Sequence, residues 1–398
     1  MFIKNDKRGA KMLEKEISFH SNENSLEFTG SQSSIASFSK ILTDPSLFLN
    51  LPDELIIMED VSNNEELNDL EMMYLFLHQK KDMDFRKNKM ENTIEEYSRD
   101  LLIMYKQIIE NAISIGLDLI SQQNPYQIFK LLNHVHIRKF QEWLAAAPLG
   151  KGKKPYAVST LSRKMVVLKG FLSFLYKTKY IEVPLHEKML SSNVRDIDRP
   201  DRDLGKNEVV QILDYYKDHP IVHCLLATLI TTGLRINELC HSKISDISYV
   251  DGDYWLYVLG KGRHEREVLI HPYIIEEIRK FRRARRLDFV LEGSNSSYIF
   301  TTNKGKPYHY KYLSNYLTKK INEADLPFIK TRKNPITPHT LRHAFAQISS
   351  DQGASLDQIK IALGHKSIQT TSIYLQKKSR RENNAGHVWK KSSIINPF

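Results

Sequence analysis

The chain contains 398 residues, with 58 Lys or Arg against 47 Asp or Glu, so its formal net charge is +11. This length and a hydrophobic content of 41% predict two or three domains with their own cores and exclude a wholly disordered protein. The two cysteines, Cys224 and Cys240, are too few for a disulfide framework or a thiolate zinc site. Nucleic acid is the leading partner class for such a basic protein, although a solvated basic surface explains the charge equally well.

The sequence offers no clear targeting or membrane segment. Charged residues interrupt the first thirty positions and leave no apolar stretch for a signal peptide. The longest uncharged stretch, residues 219–234, is shorter than the ~20 apolar residues that span a membrane. We therefore expect a soluble, cytoplasmic protein with no membrane partner.

Residues 1–84 are predicted to be a partly disordered N-terminal extension. Residues 41–79 contain acidic residues and no Lys or Arg, so the rest of the chain carries a net charge of about +20. Residues 71–78 are apolar enough to form one short docked helix. A solvated acidic extension explains the segment, and an intramolecular mimic of DNA that covers a basic groove is the alternative.

Residues 85–194 are predicted to form an all-helical bundle. Apolar residues recur every three or four positions over 93–120, which is typical of one long amphipathic helix. A second helix is expected within 136–148 and a third over 159–176. Residues 195–202 are rich in Arg and Asp and are expected to form an exposed linker.

Residues 203–398 are predicted to form an α+β domain in which helices dominate. Two aromatic or β-branched runs, 254–259 and 267–270, flank Gly260-Lys261-Gly262 and indicate a β-hairpin. The other elements are predicted helices, at 208–216, 222–230, 274–289, 310–324, 340–353, 356–363 and 369–376. The expected fold class is therefore mainly α with a small β-sheet in the α+β domain, plus the all-α helical bundle.

The last 170 residues contain short strings that are rich in phosphate-binding groups. In the string 231–239, Arg235 follows a helix-breaking glycine. Glu238 lies three residues further on, where a carboxylate can orient the arginine from the same helical face. Alone, this pair is better explained as a surface ion pair.

A second string, 337–343, begins a helix with a proline in its first turn. His339, Arg342 and His343 are spaced at i, i+3 and i+4, so they project from one side of that helix. A histidine and an arginine are thus neighbours, although His339 taken alone is better explained as a capping or core histidine.

Three further residues complete the set. His365 follows Gly364 at a predicted helix end, Tyr374 lies nine residues later, and Lys261 lies at the tip of the hairpin between two glycines. Each could be merely structural. Together with the two strings they supply guanidiniums for a phosphate, a lysine and imidazoles for proton transfer, and a phenol as nucleophile.

In this order the strings resemble the active-site boxes of the tyrosine recombinase (phage integrase) family, with high specificity over 203–374 and more weakly over the helical bundle. The resemblance implies that Arg235 and Arg342 clamp the scissile phosphate and that Glu238 braces the first of them. The resemblance also implies that His339 is the histidine of the second box, with His343 as a supporting residue. It implies that His365 is the later histidine that hydrogen-bonds the phosphate, that Lys261 protonates the leaving 5′-oxygen and that Tyr374 is the nucleophile.

The resemblance also implies the reaction and its partners. The family cuts and rejoins duplex DNA through a 3′-phosphotyrosyl ester, so no ATP, metal or other cofactor is expected. The expected partners are double-stranded recombination sites and, on DNA, a homotetramer, and the element served is an integrating or transposing mobile element. Candidate DNA-phosphate contacts in the helical bundle are Lys151, Lys153, Lys154, Arg163, Lys164 and Lys169.

Three alternatives remain open at the level of sequence. A type IB topoisomerase uses a similar constellation but relaxes DNA without strand exchange, and a catalytically silent DNA-binding regulator would need none of the six residues. A zinc hydrolase could use His339, His343 and His365, but Thr340 occupies the position of the glutamate in a zincin helix. Residues 1–80 also lack the basic arm-binding domain of many phage integrases, so binding to arm-type sites is not expected.

Overall fold

The computed structural model describes residues 19–22, 25–28, 32–45, 67–80, 82–84, 88–119, 127–195, 198, 202–260, 264–291, 295–368 and 384–389. The chain divides into two compact units, Met1–Arg199 and Pro200–Phe398. The described part is mainly helical with a small three-stranded antiparallel sheet, which confirms the predicted fold class. None of the helices described is both long and apolar enough to cross a membrane.

The first unit, which we call the helical unit, combines a short hairpin with seven helices among its described residues. The hairpin pairs β1 (Phe19–Asn22) with β2 (Ser25–Phe28). The helices are α1 (Gln32–Thr43), α2 (Asp69–His78), α3 (Glu91–Glu110), α4 (Ala112–Ile115), α5 (Ile128–Leu131), α6 (His134–Ala146) and α7 (Val158–Lys177). The predicted second and third helices of the bundle are α6 and α7.

The core of the helical unit extends further toward the N-terminus than the sequence suggested. Helix α2 begins with a capping box at Asn68 and Glu71 and buries almost its whole length. Phe76 packs edge-on against Phe171 of α7 with ring centroids 5.4 Å apart. The short docked helix predicted over 71–78 is confirmed as α2, whereas α1 is a second helix that the sequence did not indicate and whose apolar residues also belong to the bundle core. Residues 46–66, most of the acidic segment, lie outside the described residues.

The prediction of a single long helix over 93–120 is wrong. Helix α3 ends at Glu110, and after Asn111 the short α4 ends at Gly116 in the left-handed conformation. The apolar periodicity continues past the break because Ala112, Ile115 and Leu117 still face the core. Hydrophobic spacing alone therefore did not reveal the helix end.

The second unit, which we call the C-terminal unit, contains the three-stranded sheet and most of the remaining helices. The strands are β3 (Ile247–Val250), β4 (Asp253–Leu259) and β5 (Glu265–Ile270), in the order β3-β4-β5. The helices are α8 (Lys206–Tyr215), α9 (Pro220–Thr232), α10 (Ile236–His241), α11 (Pro272–Ala284), α12 (Tyr310–Glu323), α13 (Pro327–Thr331), α14 (Pro338–Asp351), α15 (Leu356–Leu363) and α16 (Gly386–Trp389). The predicted helix over 369–376 lies outside the described residues.

Helix α9 lies at the centre of the C-terminal unit. Nearly every residue from Val222 to Thr232 is buried, and the helix contacts α8, α11, α14 and β5. The predicted hairpin is β4 and β5, paired from Tyr254 with Ile270 to Leu259 with Glu265. Strand β3 adds a third strand that sequence did not indicate. The C-terminal end of α9 leads directly to Gly233 and Arg235.

Candidate active site

Arg342 lies at the centre of the site and is almost fully buried, with 2% of the residue exposed. Helix α14 begins at Pro338 after Thr337, whose hydroxyl accepts a hydrogen bond from the backbone of Thr340. One turn later, Nη1 of Arg342 donates to the carbonyl of Gly233, and Nη2 donates to the carbonyl of Leu363 at 2.6 Å. A single guanidinium thus joins the ends of α9 and α15 to α14.

Gly233 makes this close approach possible. It ends α9 with φ near +62°, a conformation that L side chains rarely adopt. A Cβ added here would lie 2.6 Å from Cδ1 of Phe345 and 2.8 Å from Cδ2 of Leu363. The helix-breaking glycine of the string 231–239 is therefore required by both its backbone conformation and its packing.

Arg235 follows two residues later and is held by Glu238, as predicted from their spacing. Nη1 of Arg235 donates to Oε1 of Glu238 at 2.9 Å, and the backbone N–H of Arg235 donates to Oε2 at 2.8 Å. The second bond caps α10. Because Glu238 is buried and Arg235 is partly exposed, the carboxylate fixes an arginine whose other edge faces solvent.

Arg266 is a second partner of Glu238 that the sequence did not reveal. Its Nη1 and Nη2 atoms donate to the two carboxylate oxygens at 3.0 and 2.8 Å, and its Nε donates to the carbonyl of Ala362 at 3.0 Å. Burial would raise the pKa of Glu238, but hydrogen bonds from Arg266 and Arg235 outweigh it and lower that pKa. The available signal was alternation: Arg266 shares a face of β5 with buried Val268 and Ile270.

His365 is brought to Arg342 as expected from its position after Gly364. It is 8% exposed, and its Nε2 lies 3.1 Å from Nη2 of Arg342. Burial, followed by the positive charges of Arg342, Arg235 and Arg266, lowers the pKa of His365 to about 4. His365 is therefore a neutral imidazole near pH 7.

His339 and His343 lie side by side on α14, with ring centroids 4.9 Å apart and the rings nearly perpendicular. Desolvation and neighbouring positive groups lower the pKa of His339 to about 4 and that of His343 to about 3. Nη1 of Arg202 lies 3.5 Å from Nε2 of His343. Arg202, which the composition of 195–202 assigned to an exposed linker, thus adds a positive charge to this cluster.

The arginines and histidines described above form one cluster, whose charges follow from these contacts. Its members are Arg202, Arg235, Arg266, Arg342, His339, His343 and His365. Its fixed positive charges are guanidiniums, whereas the three imidazoles are neutral near pH 7 and can accept or donate a proton. Guanidiniums bind phosphate oxygens through paired N–H groups and remain protonated throughout the physiological range. The cluster is therefore suited to a phosphate anion and to proton transfer beside it.

Two of the predicted site residues, Lys261 and Tyr374, lie outside the described residues. Lys261 falls in the connection 261–263 of the hairpin. The connection is flanked by Gly260 and His264, where the backbone N–H of Gly260 donates to the carbonyl of His264 at 2.7 Å. Tyr374 is six residues beyond Ile368, the last described residue before the gap at 369–383.

The zinc alternative gains no support from the described residues. Within the described ranges, no three His, Cys, Asp or Glu side chains are grouped so that they could hold a metal ion. Arg342 lies near His339, His343 and His365, and its positive charge, which lowers the pKa of all three, repels a divalent cation. Their arrangement fits an anion better than a metal.

The predicted DNA contacts of the helical unit differ in exposure. Lys151, Lys153, Lys154 and Lys169 are exposed. The prediction that Lys164 contacts a DNA phosphate is wrong. Its side chain is 4% exposed and its Nζ pairs with Oδ1 of Asp100 at 2.8 Å, so it cannot reach a DNA phosphate. Arg163 pairs with the other oxygen of Asp100 at 2.7 Å while half of its side chain stays exposed.

Known proteins are similar to this chain in sequence and in fold. The model of the phage integrase family matches residues 202–381. Tyrosine recombinase XerC of Halalkalibacterium halodurans is 30% identical over 231 residues, covering 56% of this chain and 72% of the relative. The solved XerH site-specific recombinase, in a post-cleavage complex with palindromic difH substrate, has a TM-score of 0.58 at 19% identity and covers 90% of this chain and 96% of that one. A lambda integrase tetramer bound to a Holliday junction has a TM-score of 0.52 at 18% identity, with 72% of each chain covered.

Proposed function

The chain belongs to the tyrosine recombinase (phage integrase) family of site-specific recombinases, and we propose that it cuts and rejoins duplex DNA through a covalent 3′-phosphotyrosyl intermediate. The observation that carries this proposal is the contact set of Arg342. One buried guanidinium contacts two separate parts of the chain, Gly233 at the end of α9 and the pair Leu363 and His365 at the end of α15. Arg235 lies two residues from the first of these contacts, so two arginines are available to one phosphate.

In the proposed reaction, the phenolic oxygen of Tyr374 attacks the phosphorus of a phosphodiester, and the bond from phosphorus to the 5′-oxygen breaks. A phenol has a pKa near 10, so its proton must leave as the new bond forms. The neutral imidazole of His339 accepts that proton, and Lys261 donates one to the leaving 5′-oxygen. The products are a 3′-phosphotyrosyl ester and a 5′-hydroxyl.

Arg235 and Arg342 stabilise the negative charge that grows on the non-bridging oxygens during this step. Fixed donors aimed at developing charge lower a barrier by several kcal/mol. Because the guanidiniums supply this stabilisation, we propose a reaction that needs no metal or other cofactor. A 5′-hydroxyl that attacks the ester reverses the step and rejoins the strands, so ATP is not consumed.

The proposed partner is a pair of double-stranded recombination sites, bound by a homotetramer. The relatives include a solved lambda integrase tetramer on a Holliday junction, and the exposed lysines of the helical unit are suited to phosphate contacts. We propose that the helical unit, which includes the bundle of residues 85–194, binds DNA. We propose that residues 203–398 catalyse strand cleavage and rejoining. The proposed role is integration or transposition of a mobile element, carried out in the cytoplasm.

The experiment that tests this function captures the covalent intermediate. The full chain is incubated with sheared chromosomal DNA of its source organism in EDTA, and DNA that stays attached to protein after SDS is sequenced. We expect recovery of one sequence, which then supplies a nicked duplex substrate that traps the ester. Tyr374→Phe should abolish the adduct, whereas the exposed Tyr249→Phe should form it normally.

Three results would contradict parts of the proposal. An adduct that persists in Tyr374→Phe removes the nucleophile assignment, and loss of the adduct in EDTA restores a metal-dependent mechanism. Specific binding without any adduct would identify a silent regulator. A topoisomerase would be identified by two results together: the protein relaxes a plasmid that lacks the recovered sequence, and it exchanges no strands between two DNA molecules that contain that sequence.

A further inference from the structure

We propose that Arg266 is a positioning residue that holds three parts of the active site in one arrangement. The inference rests on the function proposed above. The three parts are Arg235 with its carboxylate, the C-terminal end of α15 beside His365, and the base of the hairpin that carries Lys261. Arg266 contacts none of the reacting atoms in this assignment and acts through the groups it holds.

The first contact is with Glu238. The guanidinium of Arg266 and that carboxylate form a bidentate pair, and the side chains are 9% and 3% exposed. Glu238 also accepts two hydrogen bonds from Arg235, so one carboxylate lies between two positive charges. If Arg266 is removed, half of the donors to a buried carboxylate are lost and Arg235 can shift.

The second contact is with the end of α15. Nε of Arg266 donates to the carbonyl of Ala362, three residues before His365. Gly364 lies between them with φ near +63°, and a Cβ added to it would lie 2.9 Å from Cδ of Arg266. The chain therefore passes directly over the arginine side chain just before it reaches His365, and glycine is the residue that permits this.

The third contact is with the base of the hairpin. Arg266 is two residues beyond His264, whose carbonyl accepts from the backbone N–H of Gly260. A Cβ added to Gly260 would lie 3.3 Å from both Nη1 of Arg266 and Oε1 of Glu238. The first residue before Lys261 thus packs against the Arg266–Glu238 pair.

Lysine cannot replace this geometry. A guanidinium has N–H groups in a planar fork and can serve both carboxylate oxygens and a carbonyl at once, whereas an ammonium is a point charge on a flexible stem. Arg266→Lys therefore keeps the charge but loses the simultaneous contacts. Arg279→Lys is the matched control, because Arg279 makes a more exposed pair with Glu276 on α11.

The first arm of the test measures single-turnover adduct formation on the nicked duplex recovered above, alongside duplex binding. For Arg266→Lys we expect a rate constant about 10- to 100-fold below wild type, with binding within about threefold, because small misplacements cost this much. Measurement well below the melting temperature of each variant removes the contribution of unfolded protein. A wild-type rate constant in Arg266→Lys, or an equal loss in Arg279→Lys, would overturn the inference.

The second arm needs no DNA, so it separates failure of this inference from failure of the proposed function. The titration of His365 is followed by NMR of histidine-labelled protein, with His365→Gln identifying its signal. Removal of one neighbouring cation in Arg266→Gln should raise the pKa of His365 by roughly half a unit or more, and Arg279→Gln should leave it unchanged. An unchanged titration in Arg266→Gln would show that Arg266 does not control the surroundings of His365.

Discussion

Nη2 of Arg342 lies 3.1 Å from Nε2 of His365. A guanidinium can only donate, so Nε2 of His365 accepts, and the neutral ring carries its proton on Nδ1. Arg342 and His365 are thus paired with each other before any substrate is present. A phosphate that enters the site must compete for the donors of Arg342, and its negative charge favours protonation of the histidine.

The protonation of the site histidines is the first prediction. In DNA-free protein we expect NMR titration to give pKa values of about 4 for His365 and His339 and about 3 for His343, because burial and arginine charges disfavour the imidazolium. Addition of the nicked duplex should raise the pKa of His365. Titration near 6.5 in the free protein would contradict the described cluster.

The second prediction concerns Glu238. In Glu238→Ala, Arg235 and Arg266 lose a shared buried partner, so we expect the C-terminal unit to lose about 3–5 kcal/mol of unfolding free energy. Denaturant unfolding measures the change. The exposed Glu276→Ala, which also loses an arginine partner, should cost only about 0–1 kcal/mol. Equal effects in the two variants would remove the special status of Glu238.

The third prediction compares two glycines that both have positive φ. Gly252→Ala meets no atom within 4 Å, so it should cost only about 1–2 kcal/mol of backbone strain. Gly233→Ala adds the clash with Phe345 and Leu363 and should cost about 1–3 kcal/mol more. Adduct formation should also fall in Gly233→Ala but not in Gly252→Ala. Thermal unfolding and the adduct assay check both statements, and indistinguishable variants would contradict them.

The fourth prediction concerns Asp69 in the helical unit. The fully buried carboxyl accepts from the backbone N–H of Ile128 at 2.6 Å and from the hydroxyl of Tyr180 at 2.8 Å, yet burial raises its pKa to about 7. Between pH 4 and 7 the folded state retains a proton that the unfolded state has released, so stability falls as pH rises, by up to about 4 kcal/mol.

Asp69→Asn keeps a carbonyl acceptor but cannot titrate. Its unfolding free energy should therefore lack the part of the pH dependence that wild type shows between pH 4 and 7. Denaturant unfolding at several pH values measures this difference in the helical unit when it is followed by the fluorescence of Trp143 in proteins that carry Trp255→Phe and Trp389→Phe. Parallel curves for the two proteins would show that Asp69 titrates normally.

Local sequence features predicted much of the C-terminal unit. The glycine before Arg235, the proline that begins α14 and the glycine after α15 each determine a helix end, and the predicted hairpin follows from two β-prone runs around a glycine turn. The pairing of Arg235 with Glu238 was predictable because both residues belong to one helical turn.

Contacts between distant residues were not predictable in this way. Lys164 has a polar side chain on a helix, but Asp100, 64 residues away, makes its buried position stable. Arg266 similarly depends on Glu238 and Ala362, at separations of 28 and 96 residues. A local pattern indicates which face a residue occupies, whereas the identity of a charged partner depends on the tertiary fold.

One rate constant decides whether Arg342 has the role proposed for it. Arg342→Lys keeps a positive charge but cannot contact Gly233, Leu363 and His365 together. With folding confirmed by its melting curve, we predict that it binds the recovered duplex nearly as well as wild type but forms the Tyr374 adduct about 100-fold more slowly or not at all. Adduct formation at the wild-type rate would contradict the proposed phosphate site.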